Sequence, residues 1–291
     1  MKPARLSIGA ITDEFSPADF TLSLDEMTSI GMTDVELRLV NGKNIIDLTN
    51  DEVARARAEV DARGMRILSI ATPLLKCVLP DAPPVDERFQ QDVFGSRHTI
   101  ADQPRLATRA FDIAGRTGAK FIRVFSYWRT VDPPKCFDRI VSALRDLAEQ
   151  AAGHGAIIGL ENEAACNIAT GAETARVMQA IDHPHLGIVW DPANAMVAGE
   201  KPFPEGYGTL PVSRIVHVHA KDCYVNGHTP TWGPVGEMGV DWRGQIDALL
   251  RDGYRGGISL ETHWPGPGGD KLEASRICGR NLKKLVDEDR A

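Results

Sequence analysis

Eight short apolar runs recur along this 291-residue chain, and segments of helical period separate them from end to end. The runs are LSIGAIT (6–12), DVELR (34–38), MRILSIAT (65–72), AKFIRVFSY (119–127), AIIGLENE (156–163), HLGIVWDP (185–192), RIVHVHAKD (214–222) and RGGISLETH (255–263). Near-continuous apolar runs are what strands buried on both faces require, and intervening helices supply the crossovers of a parallel sheet. Stretches such as DFTLSLDEMTSIG, NDEVARARAEVDARG and CFDRIVSALRDLAEQAAGHG fit that role. Gly31, Gly64, Gly118, Gly155 and Gly253 stand where helix C-caps belong. The sixth helix has the weakest pattern. A Gly-rich first turn would favour an open dinucleotide-binding sheet, and SIGAITDEF has none. The expectation is therefore an α/β fold, one closed (β/α)8 TIM barrel spanning residues 1–291 as a single domain. The longest irregular stretch, about 74–104, is expected to fold over the strand ends as a lid.

Charge and cysteine usage narrow the partners. A formal net charge of -7 offers no electrostatic attraction to nucleic acid or an anionic membrane. Cys77, Cys136, Cys166, Cys223 and Cys278 are odd in number, lie far apart and form no CxxC pair. A reducing cytoplasm is the expected compartment, without a disulfide framework or zinc knuckle. The first apolar run ends at Asp13 and Glu14, too short for a secretory signal, and no stretch approaches the roughly 18 apolar residues of a membrane span.

Barrels of this kind build their sites at the C-terminal ends of the strands. Glu161, Asp191, His219 and Glu261 stand at or near those ends on strands five to eight. Three carboxylates and one imidazole suit a single divalent cation of hard or borderline character. Mn²⁺ is expected, with Mg²⁺ or Co²⁺ as alternatives, rather than structural Zn²⁺. His217 lies two residues before His219 and His263 two after Glu261, so period two places each on the same face as its neighbour. Both are read as substrate contacts, against the competing role of hydrogen-bonded core histidines. Lys221 can hold a substrate oxyanion, against a simple pairing with Asp222. Lys76, Tyr127 and Trp128 can wall the substrate, and Glu163 can orient the metal site.

The motifs ENE, WDPAN, HVHAKD and LETH, with ITDEFSP, VELR, GKN and RAFDIAGRTGAKFIRVFSYW upstream, resemble the sugar phosphate isomerase/epimerase family over nearly the whole chain. That family has xylose isomerase-like barrels and includes ketose 3-epimerases and inosose dehydratases. The resemblance implies that Glu161 and Glu261 are both metal ligands and the acid/base pair, with Asp191 and His219 completing the ligand set. It also implies that Glu36 contacts sugar hydroxyls beside Arg38, an ion pair within the strand being the competing use. Asn194 stands where epimerases of the family often carry a histidine, and is read as a substrate contact or a helix cap. Glu237 is read as part of a substrate-side flap, and WPGPGGDK as a Pro/Gly turn rather than a phosphate cradle.

The chemistry so implied is removal of a proton beside a carbonyl, with the cation stabilising the enediolate. Two carboxylates on opposite faces would invert the centre, whereas one carboxylate doing both jobs would give a 1,2-shift or an elimination. The expected enzyme is a metal-dependent isomerase or epimerase of a keto-sugar or related carbohydrate. The alternative is a metal-dependent lyase, either a dehydratase of a keto-inositol type substrate or an eliminating enzyme on an oxidised glycoside. Its partner would be a small-molecule carbohydrate, with homo-oligomer formation left open. The endonuclease branch of the same superfamily is disfavoured by the acidic net charge.

Overall fold

The computed structural model describes residues 6–90 and 97–288. Eight parallel strands close into a barrel. They are β1 (Ser7–Ile11), β2 (Asp34–Leu37), β3 (Arg66–Ala71), β4 (Phe121–Val124), β5 (Ile157–Glu161), β6 (Leu186–Trp190), β7 (Ile215–Ala220) and β8 (Gly257–Leu260). Each strand pairs with its neighbours in sequence, and β1 closes on β8 through Ser7 opposite Gly257 and Ala10 opposite Leu260. This is the order that repeated right-handed β-α-β crossovers generate.

Helices follow the strands around the outside: α1 (Phe20–Ile30), α2 (Asn50–Asp61), α3 (Gln103–Thr117), α4 (Phe137–His154), α5 (Gly171–Ala180), α6 (Pro192–Val197), α7 (Trp242–Arg251) and α8 (Lys271–Glu288). Local sequence explains their ends. Asp19 accepts a hydrogen bond from Leu22 N at the start of α1, and Thr49 with Glu52 forms a capping box at α2. Gly31, Gly118 and Gly155 terminate α1, α3 and α4 in the left-handed conformation that favours glycine. The sixth helix is indeed the poorest, with six residues. In α3, Leu106, Ala110, Phe111 and Ile113 are buried, the face that covers the barrel. The last helix packs on the first, where Gly279 leaves room for Ile30 and Met32.

Between β3 and α3 the described chain is irregular apart from short 3-10 turns at Glu87–Phe89 and Ile100–Asp102. Val85 bridges Thr130 after β4. Part of the expected lid, residues 91–96, lies outside the described residues. After β7 the chain forms a hairpin, Asp222–Asn226 with Thr229–Gly233, that rises beside the barrel mouth. All five cysteines are buried free thiols. Among the described residues no helix is long and apolar enough to cross a membrane.

Strand parity decides what fills the barrel. Leu68, Phe121 and Val189 form a small apolar plug, with Ile157 and Val216 packed against it. Gly159 on β5 makes room for it, because a Cβ there would meet Val189 Cγ2 at 2.8 Å and Phe121 Cδ2 at 3.0 Å. Two residues further along, the same inward positions become Glu161, Arg123 and Asp191, so the interior changes from apolar to charged over one step of each strand.

Candidate active site

Glu161 ends β5, Asp191 follows β6, His219 lies near the end of β7 and Glu261 follows β8. Four strands thus bring residues far apart in sequence to one buried point, where one ligand atom from each lies within 4.8 Å of the others. His219 Nδ1 is 3.1 Å from Glu161 Oε1 and 3.4 Å from Glu261 Oε2. Asp191 doubles as the N-cap of α6, accepting from Asn194 N at 2.8 Å. Asn162 holds its backbone on the other side, accepting from Asp191 N and donating to Asp191 O, each at 2.8 Å. Neither Glu161 Oε2 nor Asp191 Oδ2 makes a hydrogen bond, although both are buried. Three carboxylates and an imidazole, with two buried oxygens that no hydrogen bond satisfies and that cations approach, fit a hard or borderline divalent metal ion.

Beneath the tetrad lies a second polar layer. Glu36, at 0% exposure, reaches His217 Nε2 at 2.8 Å and His219 Nε2 at 3.2 Å, and Ser69 Oγ donates to its other oxygen. Burial works against a charge on Glu36, but His217 and His219 outweigh it and hold the carboxyl well below the usual range. His219 is thereby clamped from both ring nitrogens, with Nδ1 toward the tetrad. The hydrogen-bonded role is thus the one seen for His217, whereas Glu36 bonds the two histidines; Arg38, its expected ion-pair partner, pairs with Asp13, Glu14 and Glu261.

Positive charge surrounds the carboxylates. Lys221 Nζ lies 3.0 Å from Asp191 Oδ2 and 3.1 Å from Glu261 Oε2. Asp222, its expected rival partner, instead accepts backbone N–H groups from Cys223, Gly236, Met238 and Val240. Arg38 places its guanidinium on Asp13, Glu14 and Glu261. Arg123, which sequence inspection passed over, lies 3.3 Å from Glu161 Oε2 and 3.5 Å from Glu261 Oε1. A signal for it existed: an arginine inside the apolar run AKFIRVFSY is costly to bury unless a carboxylate awaits it. Burial, with Glu161 and Glu261 adding to it against the pull of Lys221, pushes Asp191 up to about 6.

A cleft with an empty volume of about 540 Å³, open mouth included, lies beside this charged cluster. Asn194, Glu163 and His263 line its inner part, and Phe89, His228 and Trp232 its sides. Phe89 belongs to the segment after β3, so that segment does reach the cleft. Asn194 Nδ2 is 3.5 Å from Glu161 Oε1, which ties the cleft wall to the tetrad. Burial and the Lys221 ammonium push His263 down to about 3, leaving a neutral imidazole tilted at 58° to the Trp232 ring, 4.7 Å between centroids. Lys76 lies 3.8 Å from Glu163 Oε2 and 4.4 Å from the Phe125 ring centroid. Its neighbour Leu75 and Tyr127 both adopt left-handed backbone (φ 59° and 61°), a strained conformation for bulky residues that clusters at functional sites. Glu237 is elsewhere, accepting from Asn281 of α8 at 2.8 Å.

Comparison with known proteins agrees with this architecture. A curated inosose dehydratase from Lactiplantibacillus plantarum is 25% identical over an alignment of 173 positions that covers 53% of this chain and 56% of that protein. The match thus spans about half the length of that relative. The 3-keto-D-glucoside 4-epimerase YcjR from E. coli superposes with a TM-score of 0.69 at 16% identity, over 97% of this chain and 100% of that one. A xylose isomerase-like TIM barrel protein from Mycobacterium smegmatis, solved in complex with magnesium, gives a TM-score of 0.67 at 18% identity over 100% of both chains. The description "Xylose isomerase-like TIM barrel" matches residues 24–282, most of the sequence. Closed eightfold topology, a tetrad at the strand ends and this long match together place the chain in the xylose isomerase-like TIM barrel family.

Proposed function

We propose that this protein is a divalent-metal-dependent isomerase or epimerase acting on a keto-sugar or related carbohydrate. The observation that carries the reading is the convergence of Glu161, Asp191, His219 and Glu261 at one buried point beside an open cleft, which Asn194 links to the tetrad. These four would hold the ion, with Mn²⁺ expected and Mg²⁺ or Co²⁺ fitting the same donors. Once bound, the cation supplies Lewis-acid stabilisation for the negative charge that develops on a carbonyl oxygen as the neighbouring C–H is lost.

The chain's own groups do the rest. Glu161 and Glu261 stand three strands apart round the barrel, so one carboxylate can take the proton from one face of the sugar and the other return it to the opposite face. Asn194, His263 and Lys76 offer hydrogen-bonding groups to the substrate hydroxyls. Lys221 offers an ammonium to a substrate oxygen. Glu36, Arg38 and His217 act on the substrate through the groups they hold.

A second reading, a lyase of the dehydratase type, rests on the likeness to the inosose dehydratase and on Lys221. An ammonium held beside Glu261 can protonate a departing hydroxyl while the glutamate removes the C–H proton. Metal analysis followed by incubation of ketoses, inososes and 3-keto-glycosides in D₂O tests both. Deuterium uptake without loss of water supports the isomerase or epimerase; loss of water or of an aglycone supports the lyase. Absence of exchange and elimination with all three ions present would overturn both.

A further inference from the structure

The carboxylates of the tetrad do not face one another bare. Each has an internal cation at ion-pair distance: Lys221 for Asp191 and Glu261, Arg123 for Glu161 and again Glu261. The two cations differ in how they are held. The Arg123 guanidinium stacks 4.7 Å from the Phe125 ring centroid, a planar group pinned on a planar face. Lys221 is a point charge on a flexible four-carbon stem, and its side chain is completely buried. It sits two residues beyond His219, directly after the last residue of β7, so β7 and the residue that follows it supply the imidazole ligand and the ammonium. Nζ lies 5.9 Å from the ring centroid of Trp232 in the cleft wall.

Asp191 Oδ2 and Glu261 Oε2 are the atoms that Lys221 meets, and both residues belong to the candidate ligand set. A carboxylate oxygen shared with an ammonium is a weaker ligand, and a divalent ion brought beside that ammonium is repelled by it.

We propose that Lys221 is a resident counter-cation of the metal centre: it competes with the divalent ion for Asp191 and Glu261, and the ion's entry frees the ammonium toward the cleft beneath Trp232. Metal loading and presentation of the lysine to substrate are then one event. The four ligands are also held below the affinity they would have without it. This inference rests on the reading of the tetrad as a metal centre.

Lys221→Met keeps the stem and removes the charge. Isothermal titration with Mn²⁺ should show binding about tenfold tighter, or more, than in the unaltered protein. The chelator-treated variant should melt several degrees lower, because two buried carboxylates lose their partner, and Mn²⁺ should raise its Tm more than it raises that of the unaltered protein. Equal or weaker affinity in a variant with an unchanged circular dichroism spectrum overturns the proposal and leaves the metal centre standing. If the variant does not fold, crystal structures of the unaltered protein with and without Mn²⁺ decide the matter. Lys221 Nζ must leave Asp191 and Glu261 in the loaded form, and its retention at hydrogen-bond distance of both refutes the idea. Failure of Mn²⁺ to bind the unaltered protein removes this inference and the proposed function together.

Discussion

Arg38 and Glu261, 223 residues apart in the chain, meet at 3.1 Å through Nη1 and Oε1. The rest of the guanidinium is engaged: Nε donates to Asp13 Oδ2 at 2.9 Å and Nη2 to Glu14 Oε1 at 2.8 Å. Glu14 is in turn paired with Lys271 at the start of α8. A fork fixed on two carboxylates from the end of β1 therefore sets where Glu261 points.

Arg38→Lys cannot reproduce that fork. If Arg38 positions Glu261, the variant should lose roughly 100-fold in kcat for deuterium exchange, the scale of effect expected when a reacting group is misplaced by about 1 Å, with little change in KM. A raised KM with kcat intact would mean that Arg38 binds substrate directly.

Glu36 holds the ring nitrogen of His219 that faces away from the tetrad. Removing such a partner typically weakens metal binding by about 10- to 100-fold. Glu36→Gln should do so for Mn²⁺ in equilibrium dialysis. Unchanged affinity combined with a higher KM would return Glu36 to the role of a sugar contact.

His219 supplies the pH dependence. Burial opposes a charge on its ring, but Glu36, Glu161 and Glu261 outweigh burial and carry it well above the ordinary value of 6.5. Its other neighbour of the same strand is His217, and Lys221 and Arg123 complete the charged surroundings. A raised folded-state pKa means that the stabilisation from charged His219 is complete below 6.5 and is lost as pH rises through the raised value. The Tm of chelator-treated protein should thus fall across that window. A ligating histidine must be neutral, so Mn²⁺ uptake should expel a proton and tighten by up to about tenfold per pH unit while His219 remains protonated. Titration calorimetry in buffers of different ionisation enthalpy counts that proton, and affinity independent of pH from about pH 6 to 8 would rule the account out.

Gly159 carries a prediction about stability alone. A methyl group there collides with Phe121 and Val189 in the barrel plug. Gly159→Ala should cost about 1–3 kcal/mol by overpacking, read as a lower midpoint in urea unfolding. An unchanged midpoint would show that the plug can relax around it.

The eightfold alternation of runs and helical segments was enough to define the barrel, because a buried parallel strand and its covering helix each leave a periodic pattern in the chain. The tetrad was legible for the same reason: Glu161, Asp191, His219 and Glu261 each close an apolar run, and topology turns strand ends into neighbours. The sequence also located Lys221, Asn194 and His263 by parity or short spacing from those four. What it did not carry was partnership between strands. Arg123 meets Glu161 and Glu261 only because β4 stands beside β5 and across the mouth from β8. Arg38 and Glu36 are drawn to Glu261 and His219 by contacts spanning 223 and 183 residues. Spacing along one strand fixes which face a side chain takes, but closure of the barrel decides which charges share that interior, and only the tertiary structure records it.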